Sequence, residues 1–425
     1  MLNLSRFVAA SVCFAVLNGV IAALPAGQKQ TANILTDENF ELTDKVKQEG
    51  KPSSWWLARA YLTGARPDVA VLGSSQIGGL QAADANLTGR SIDFVDNHHC
   101  PTIERALAKT RREPERYVFL SALPGAMISD HFAIAKALYK TKGAPPLVVL
   151  TISPRDFIDN SLPCAGATEP YRYFSKFSDM SAYVNRAFNR PWSRLEYFAG
   201  QEIPTRRLEA PLKDGTRSFV ETFLACGIAG GESKIAAQPS DTKLTAASDS
   251  ANAKLVADQV KFVMGGYEGN IKPGQAVLTP NLPKLFVDNS RDYKRRYKNT
   301  HPDTYDVQFD YLSDFLSYLK GEGSTVLVLG MPLTPENRAI LGEKFFAAYG
   351  KKVAEVCNQN KAVYVSLVEA PQFGRGDFCD TVHLNADGGG KLASAIASII
   401  AANEPLTAAL DAHTGSLATR NKPTP

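Results

Sequence analysis

The stretch PDVAVLGSSQIGGL, residues 67–80, decides the fold. Its first half, Asp68 to Gly73, is a short β-branched apolar run bounded by Pro67 and a glycine, which reads as a buried strand. The run ends in Ser74 and Ser75 and passes into Gly78 and Gly79, the composition of a tight strand-to-helix turn. Such a turn can also present a serine as a nucleophile, and either hydroxyl would then need a base from elsewhere in the chain.

Four more runs share the character of the first: RYVFLSAL (116–123), PLVVLTIS (146–153), STVLVLG (324–330) and AVYVSLV (362–368). Helical patterns lie between them, among them TIERALAKT (102–110) and ISDHFAIAKALYKTKG (128–143). In the segment 303–323, Tyr305, Phe309, Leu312, Phe315, Leu316 and Leu319 fall on one face, and Gly321 and Gly323 end the helix. A helical stretch follows over 335–357, and an Ala-rich helix over about 391–402. Five buried strands alternating with helices predict an α/β fold: a five-stranded parallel sheet in a flavodoxin-like three-layer α/β/α sandwich. In such sheets ligands sit beyond the carboxyl ends of the strands, where the Gly73-Ser74-Ser75 turn falls.

The core pattern occupies 67–160 and 303–402, interrupted by an insertion over 161–302 that is predicted to cover the active edge of the sheet. The insertion begins rich in aromatics and becomes polar and small over 230–254, a mobile loop by composition. Residues 27–66 form a polar linker followed by an entry helix, SSWWLARAYLTG (53–64). The Thr-, Pro- and Ala-rich tail, 403–425, is predicted to be disordered.

Residues 1–26 read as an export segment. After Arg6, residues 7–24 carry no charge, and this length lies between a signal h-region of about 7–15 residues and a spanning helix of roughly 20. An uncleaved anchor is favoured over a removed signal. The bulk of the chain is therefore expected outside the cytoplasm, tethered to the inner or plasma membrane or secreted.

Net charge is +4, from 47 basic and 43 acidic residues, which is too balanced to point to nucleic acid. The basic clusters at 110–116 and 291–298 read as solvated helix faces. Beyond Cys13 there are five cysteines, enough for two disulfides and a free thiol. Cys164 with Cys226 and Cys357 with Cys379 are the pairs considered. No C-x-x-C occurs, and His98-His99-Cys100 lacks a second ligand cluster, so no metal site is predicted.

Only one of the six histidines stands in a setting that suits a base. In DFCDTVHLNADGGGKLASAIASII (377–400), Asp380 and His383 lie after the fifth strand, just before the Ala-rich helix. Three residues apart in a turn, the carboxylate can reach the ring and fix its tautomer. On its own, D-x-x-H would be a capped turn and a half-buried ring. Together with a Gly-x-Ser turn at the same edge of the sheet, it predicts a Ser-Asp-His triad. His131 lies inside a helix, His301 opens one, and His413 lies in the tail.

With LGSSQ (72–76), SPRDFIDN (153–160), GMPLTPEN (330–337) and FCDTVHLN (378–385) in this order, the chain resembles the SGNH (GDSL-like) hydrolase superfamily. More narrowly, it resembles the export-associated branch whose first turn reads Gly-Ser-Ser. That branch includes the teichoic-acid D-alanylation protein and bacterial families of unknown function. The resemblance spans about half of the chain. By alignment it places the nucleophile at Ser75 and makes Ser74 a neighbour that hydrogen-bonds the turn. It also implies an oxyanion hole from the N–H groups of Ser75 and Gly125 and the side chain of Asn160. SPRDFIDN replaces the superfamily's Gly-x-Asn-Asp block, and Arg155-Asp156 reads equally well as a structural ion pair at a strand end.

The function implied is an extracytoplasmic serine acyltransferase or esterase that needs no cofactor and acts on O-acyl groups of cell-envelope or secreted polysaccharide, or on an acylated small molecule. The branch implies a membrane-bound O-acyltransferase as partner. A second reading is a catalytically inactive assembly or binding protein of an envelope polysaccharide-modifying complex. A third, a plain lipase, requires a wide apolar mouth.

Overall fold

The computed structural model describes residues 51–202, 273–298 and 302–420. The N-terminal segment 1–26, most of the linker, the polar stretch 230–254, Cys226 and His301 lie outside the described residues. The described residues belong to two compact units. One contains residues 190–202, with a helix over Pro191–Glu202. The other contains the sheet and everything discussed below.

Helix α1 (Ser53–Thr63) leads into strand β1 (Val69–Ser74) and helix α2 (Gly78–Thr88). A two-residue strand β2 (Ile92–Asp93), helix α3 (Pro101–Arg111) and strand β3 (Val118–Leu123) follow. Helix α4 (Ile128–Lys142) and strand β4 (Leu147–Ile152) close the first half. The chain returns from the insertion through a two-residue strand β5 (Val277–Leu278) and a short helix over Ser290–Tyr297. Then come α5 (Pro302–Gly321), β6 (Thr325–Gly330), α6 (Glu343–Gln359), β7 (Val363–Ser366), α7 (Ala386–Ala401) and α8 (Glu404–Arg420).

The fold is α/β, with the predicted five strands forming one parallel sheet in the order β3-β1-β4-β6-β7. Strands β1, β3 and β4 are buried along their whole length, which is why they read as continuous apolar runs rather than alternating ones. The order in which strands are added to the sheet reverses at the β1–β4 pair, so the crevice of this sheet opens beyond the carboxyl end of β1. The helices form two packed groups, α2 with α3 and α7, and α4 with α1 and α5, with α6 packed on α5. On α5, the predicted face is buried at Phe309, Leu312, Phe315, Leu316 and Leu319. The entry helix α1 buries Trp55, Trp56, Leu57 and Tyr61, and the Tyr61 ring meets Phe119 edge-on at 5.1 Å.

The tail departs from expectation. Residues from Glu404 form helix α8 rather than a disordered segment, because Leu406 and Leu410, one turn apart, are both fully buried. Arg116 Nη1 donates to the Leu410 carbonyl at 3.2 Å and Arg111 pairs with Asp411, tying the helix to the β3 side. The Cys357–Cys379 pairing is also corrected, since both are free thiols. Cys357 is a buried apolar contact of α6, and burial pushes its thiol up to about 12. The Cys164–Cys226 pairing involves a residue outside those described. No single helix among the described residues is long and apolar enough to cross a membrane.

Candidate active site

Strand β1 ends at Ser74, and Ser75–Ile77 make one 3-10 turn before α2 begins. The glycine before the serines is there for room. A Cβ on Gly73 would stand 2.1 Å from Oγ1 of Thr151 on the adjacent strand β4. Ser74 is still part of the strand, buried and in register with Leu123 of β3. Ser75 is the first residue past the sheet and is partly accessible. Its Oγ lies 2.9 Å from Nε2 of His383, so of the two serines Ser75 is the one that meets the base.

The loop that carries this base is folded by its own carboxylate. Asp380 Oδ1 accepts the N–H groups of Val382 (2.9 Å) and His383 (2.8 Å), while Oδ2 lies 2.7 Å from His383 Nδ1. Cys379 N–H donates to the His383 carbonyl at 2.9 Å and closes the turn. The three-residue spacing thus serves two ends, since one carboxylate shapes the turn and orients the ring. An ionised carboxylate only accepts, so the ring proton stays on Nδ1 and the Nε2 lone pair faces Ser75. Asp380 and His383 are both buried, at 2% and 5% exposure, which shields the pair from water.

Neighbouring segments hold the loop from below. Thr381 donates its N–H (3.1 Å) and its hydroxyl to Oδ1 of Asn289, on the segment returning from the insertion. Its carbonyl accepts from the N–H (3.3 Å) and hydroxyl (3.0 Å) of Thr334, within the GMPLTPEN motif after β6. Val287 N–H donates to the Cys379 carbonyl at 2.9 Å. Desolvation, with the adjacent Asp380 carboxylate, pushes the Cys379 thiol well above its ordinary value, so it offers no rival thiolate.

Ser75, Asp380 and His383 open into a cleft of about 360 Å³. Its walls come from α2, Phe94, the returning segment 278–285 and the start of α7. The insertion expected over this edge supplies 278–285, and neither Phe94 nor any residue of 278–285 is singled out by the sequence. A larger cleft, about 580 Å³, lies between α6 and β7 and includes no member of the triad.

Gly125 and Asn160 are not among the residues lining the triad cleft. Gly125 has a left-handed φ of 73°, and its carbonyl accepts from Arg155 Nη2 at 2.9 Å. Asn160 donates its N–H to the Arg296 carbonyl at 3.1 Å, and its Nδ2 is buried without a partner among the described residues. Arg155 is itself buried, 3.0 Å from Asp159 and 3.5 Å from Asp156. Burial would raise the Asp159 carboxyl, but Arg155, Ser161 and Arg296 outweigh it and hold it below its usual range. The motif SPRDFIDN therefore encodes a buried ion network that fastens the β3 and β4 loops together.

His98, His99 and His131 are not among the residues lining this cleft. Burial lowers His98 to about 4, and burial with Arg155 lowers His131 to about 3, so both rings are neutral at pH 7. Among the described residues, no group of three His, Cys, Asp or Glu side chains is placed to hold a metal ion. Comparison with known proteins adds no relative: no family model and no curated protein matches the chain.

Proposed function

We propose that the protein is a serine hydrolase or O-acyltransferase of the SGNH type, built as a three-layer α/β/α sandwich. In this reading it acts outside the cytoplasm on O-acyl groups of cell-envelope or secreted polysaccharide. The observation that carries it is the continuous chain from Ser75 Oγ through His383, 2.9 Å at Nε2 and 2.7 Å at Nδ1, to Asp380. Three residues 308 positions apart at the extremes meet in hydrogen-bonding order at the carboxyl edge of a parallel sheet, which a structural polar cluster has no need to do.

The chemistry follows from the atoms. Ser75 Oγ attacks the ester carbonyl carbon while His383 Nε2 takes its proton. The tetrahedral oxyanion collapses, and the imidazolium returns that proton to the departing alcohol. Water, or the hydroxyl of an acceptor, then attacks the acyl-serine by the same route in reverse. The Asp380 carboxylate stabilises the imidazolium. No cofactor is required. The membrane-bound O-acyltransferase implied by the resemblance would supply acyl groups to such a site.

The test is fluorophosphonate labelling and p-nitrophenyl acetate turnover by the full chain, beside Ser75→Ala and His383→Ala. Labelling of wild type that is lost in Ser75→Ala supports the reading. A folded protein that takes no label and turns over no ester sinks it. Label that survives Ser75→Ala and disappears in Ser74→Ala moves the nucleophile by one residue.

A second reading, an inactive assembly or binding protein of a polysaccharide-modifying complex, is favoured by one observation. The two further oxyanion donors expected from the resemblance, Gly125 and Asn160, stand outside the cleft lining. The same labelling experiment separates the two readings.

A further inference from the structure

We infer that the cleft beside Ser75 is an acyl pocket, and that the preferred ester carries an apolar acyl chain longer than acetyl. The inference rests on the hydrolase reading and deepens it. From the triad outward, the cleft is walled by Phe94, Leu278, Leu282, Leu285 and Leu384. Phe94 and Leu384, each 3% exposed, form a fixed floor, whereas Leu285 is 47% exposed. An exposed leucine inside a concave site is apolar surface still waiting for a partner.

Several polar groups at the rim of the cleft are engaged with one another. Asn86 Oδ1 accepts the Asn281 N–H at 2.7 Å, Lys284 pairs with Asp387 across the rim, and Asn385 Oδ1 caps α7 through the Asp387 and Gly388 N–H groups. A sugar ring seeks several converging free donors and acceptors, and a hydrocarbon chain seeks none. A space of about 360 Å³ is also far larger than an acetyl methyl can fill. The acyl chain thus lies along the leucines, and the alcohol portion of the ester points out past the Lys284–Asp387 pair.

The full chain is assayed with p-nitrophenyl acetate, butyrate and hexanoate. Wild-type kcat/KM is expected to rise roughly fourfold per added methylene. Leu282→Trp, which fills the cleft, is expected to cut the hexanoate-to-acetate ratio by about tenfold or more. Acetate turnover with a flat or falling chain-length series overturns the acyl pocket and leaves the hydrolase reading standing. Binding supplies a readout free of the chemistry. Ser75→Ala should bind hexanoate and not acetate in saturation-transfer NMR, and should lose hexanoate when Leu282→Trp is added. Failure to bind hexanoate overturns the inference whatever the enzyme does.

Discussion

Gly79 of α2 and Gly389 of α7 pack backbone against backbone: a Cβ on Gly389 would stand 1.8 Å from the Gly79 carbonyl oxygen. A Cβ on Gly79 would in turn meet the Leu384 side chain at 2.7 Å. One helix follows Ser75 and the other follows His383, so this contact sets the distance between the two side chains. Gly389→Ala should therefore cost about 1–3 kcal/mol of stability by overpacking and should lower kcat by moving the base. Gly390, with nothing within 4 Å, is the control, and its alanine variant should be stabilised by about 0.5–1 kcal/mol. Urea denaturation and ester turnover of the two variants check this, and equal behaviour would refute it.

Asp380→Asn tests the tautomer. The amide oxygen of asparagine can keep the bonds from Val382 and His383 N–H, which turns its NH2 towards His383 Nδ1. Nδ1 must then accept, the ring proton moves to Nε2, and Ser75 faces a donor instead of a base. A loss of about 10⁴-fold in kcat/KM at neutral pH, with the thermal midpoint little changed, is the expected outcome. A loss of less than about tenfold would mean that Asp380 only shapes the turn.

These features differ in how far sequence reveals them. The five strands were legible because each is a β-branched run buried on both faces, and Asp380 and His383 because their geometry is local. The returning segment was not, since β5 has two residues and pairs only with the two-residue β2. So short a ladder leaves no period to read, and Asn289 acts across 92 residues of sequence. The Ala-rich helix is expected over about 391–402, after the three glycines Gly388 to Gly390. The helix instead begins at Ala386, capped by Asn385, because two of those glycines are needed for close packing. In the tail, two buried leucines among alanines and threonines decided the outcome, a signal that composition alone hides.

Asn289 holds the Asp380–His383 loop through Thr381 without touching Ser75, Asp380 or His383. Asn289→Ala leaves the Thr381 N–H and hydroxyl without their acceptor, at a cost of about 1–3 kcal/mol. With Thr381 loosened between Asp380 and Val382, kcat should fall by roughly 5- to 100-fold while KM changes little. Asn289→Asp keeps the acceptor and adds a negative charge behind the loop. It should restore most of kcat and move the acid limb of the pH–rate profile upward, because the added charge favours the imidazolium. A purely structural role predicts lower stability in Asn289→Ala and no shift of the profile in Asn289→Asp.

The last prediction concerns pH and stability, away from the cleft. Burial pushes the carboxyl of Asp130 up to about 7 against the opposing hydrogen bond from Thr168. Burial likewise pushes Glu169 up to about 7, opposed by the Ser54 hydroxyl and reinforced by the charge of Asp130. Arg155 is the cation facing Asp130, and it lowers that carboxyl less than burial raises it. In the unfolded chain both groups titrate near about 4. Between roughly pH 4 and pH 7 the folded protein therefore binds more protons than the unfolded one, and stability falls as pH rises through that window. Their stabilising contribution is complete below the unfolded values and gone above about 7. Guanidinium unfolding at pH 5 and pH 7.5 should show the wild type losing more stability than the Asp130→Asn, Glu169→Gln double variant. Equal losses in the two proteins would mean that these carboxyls are ionised in the folded state across the whole range.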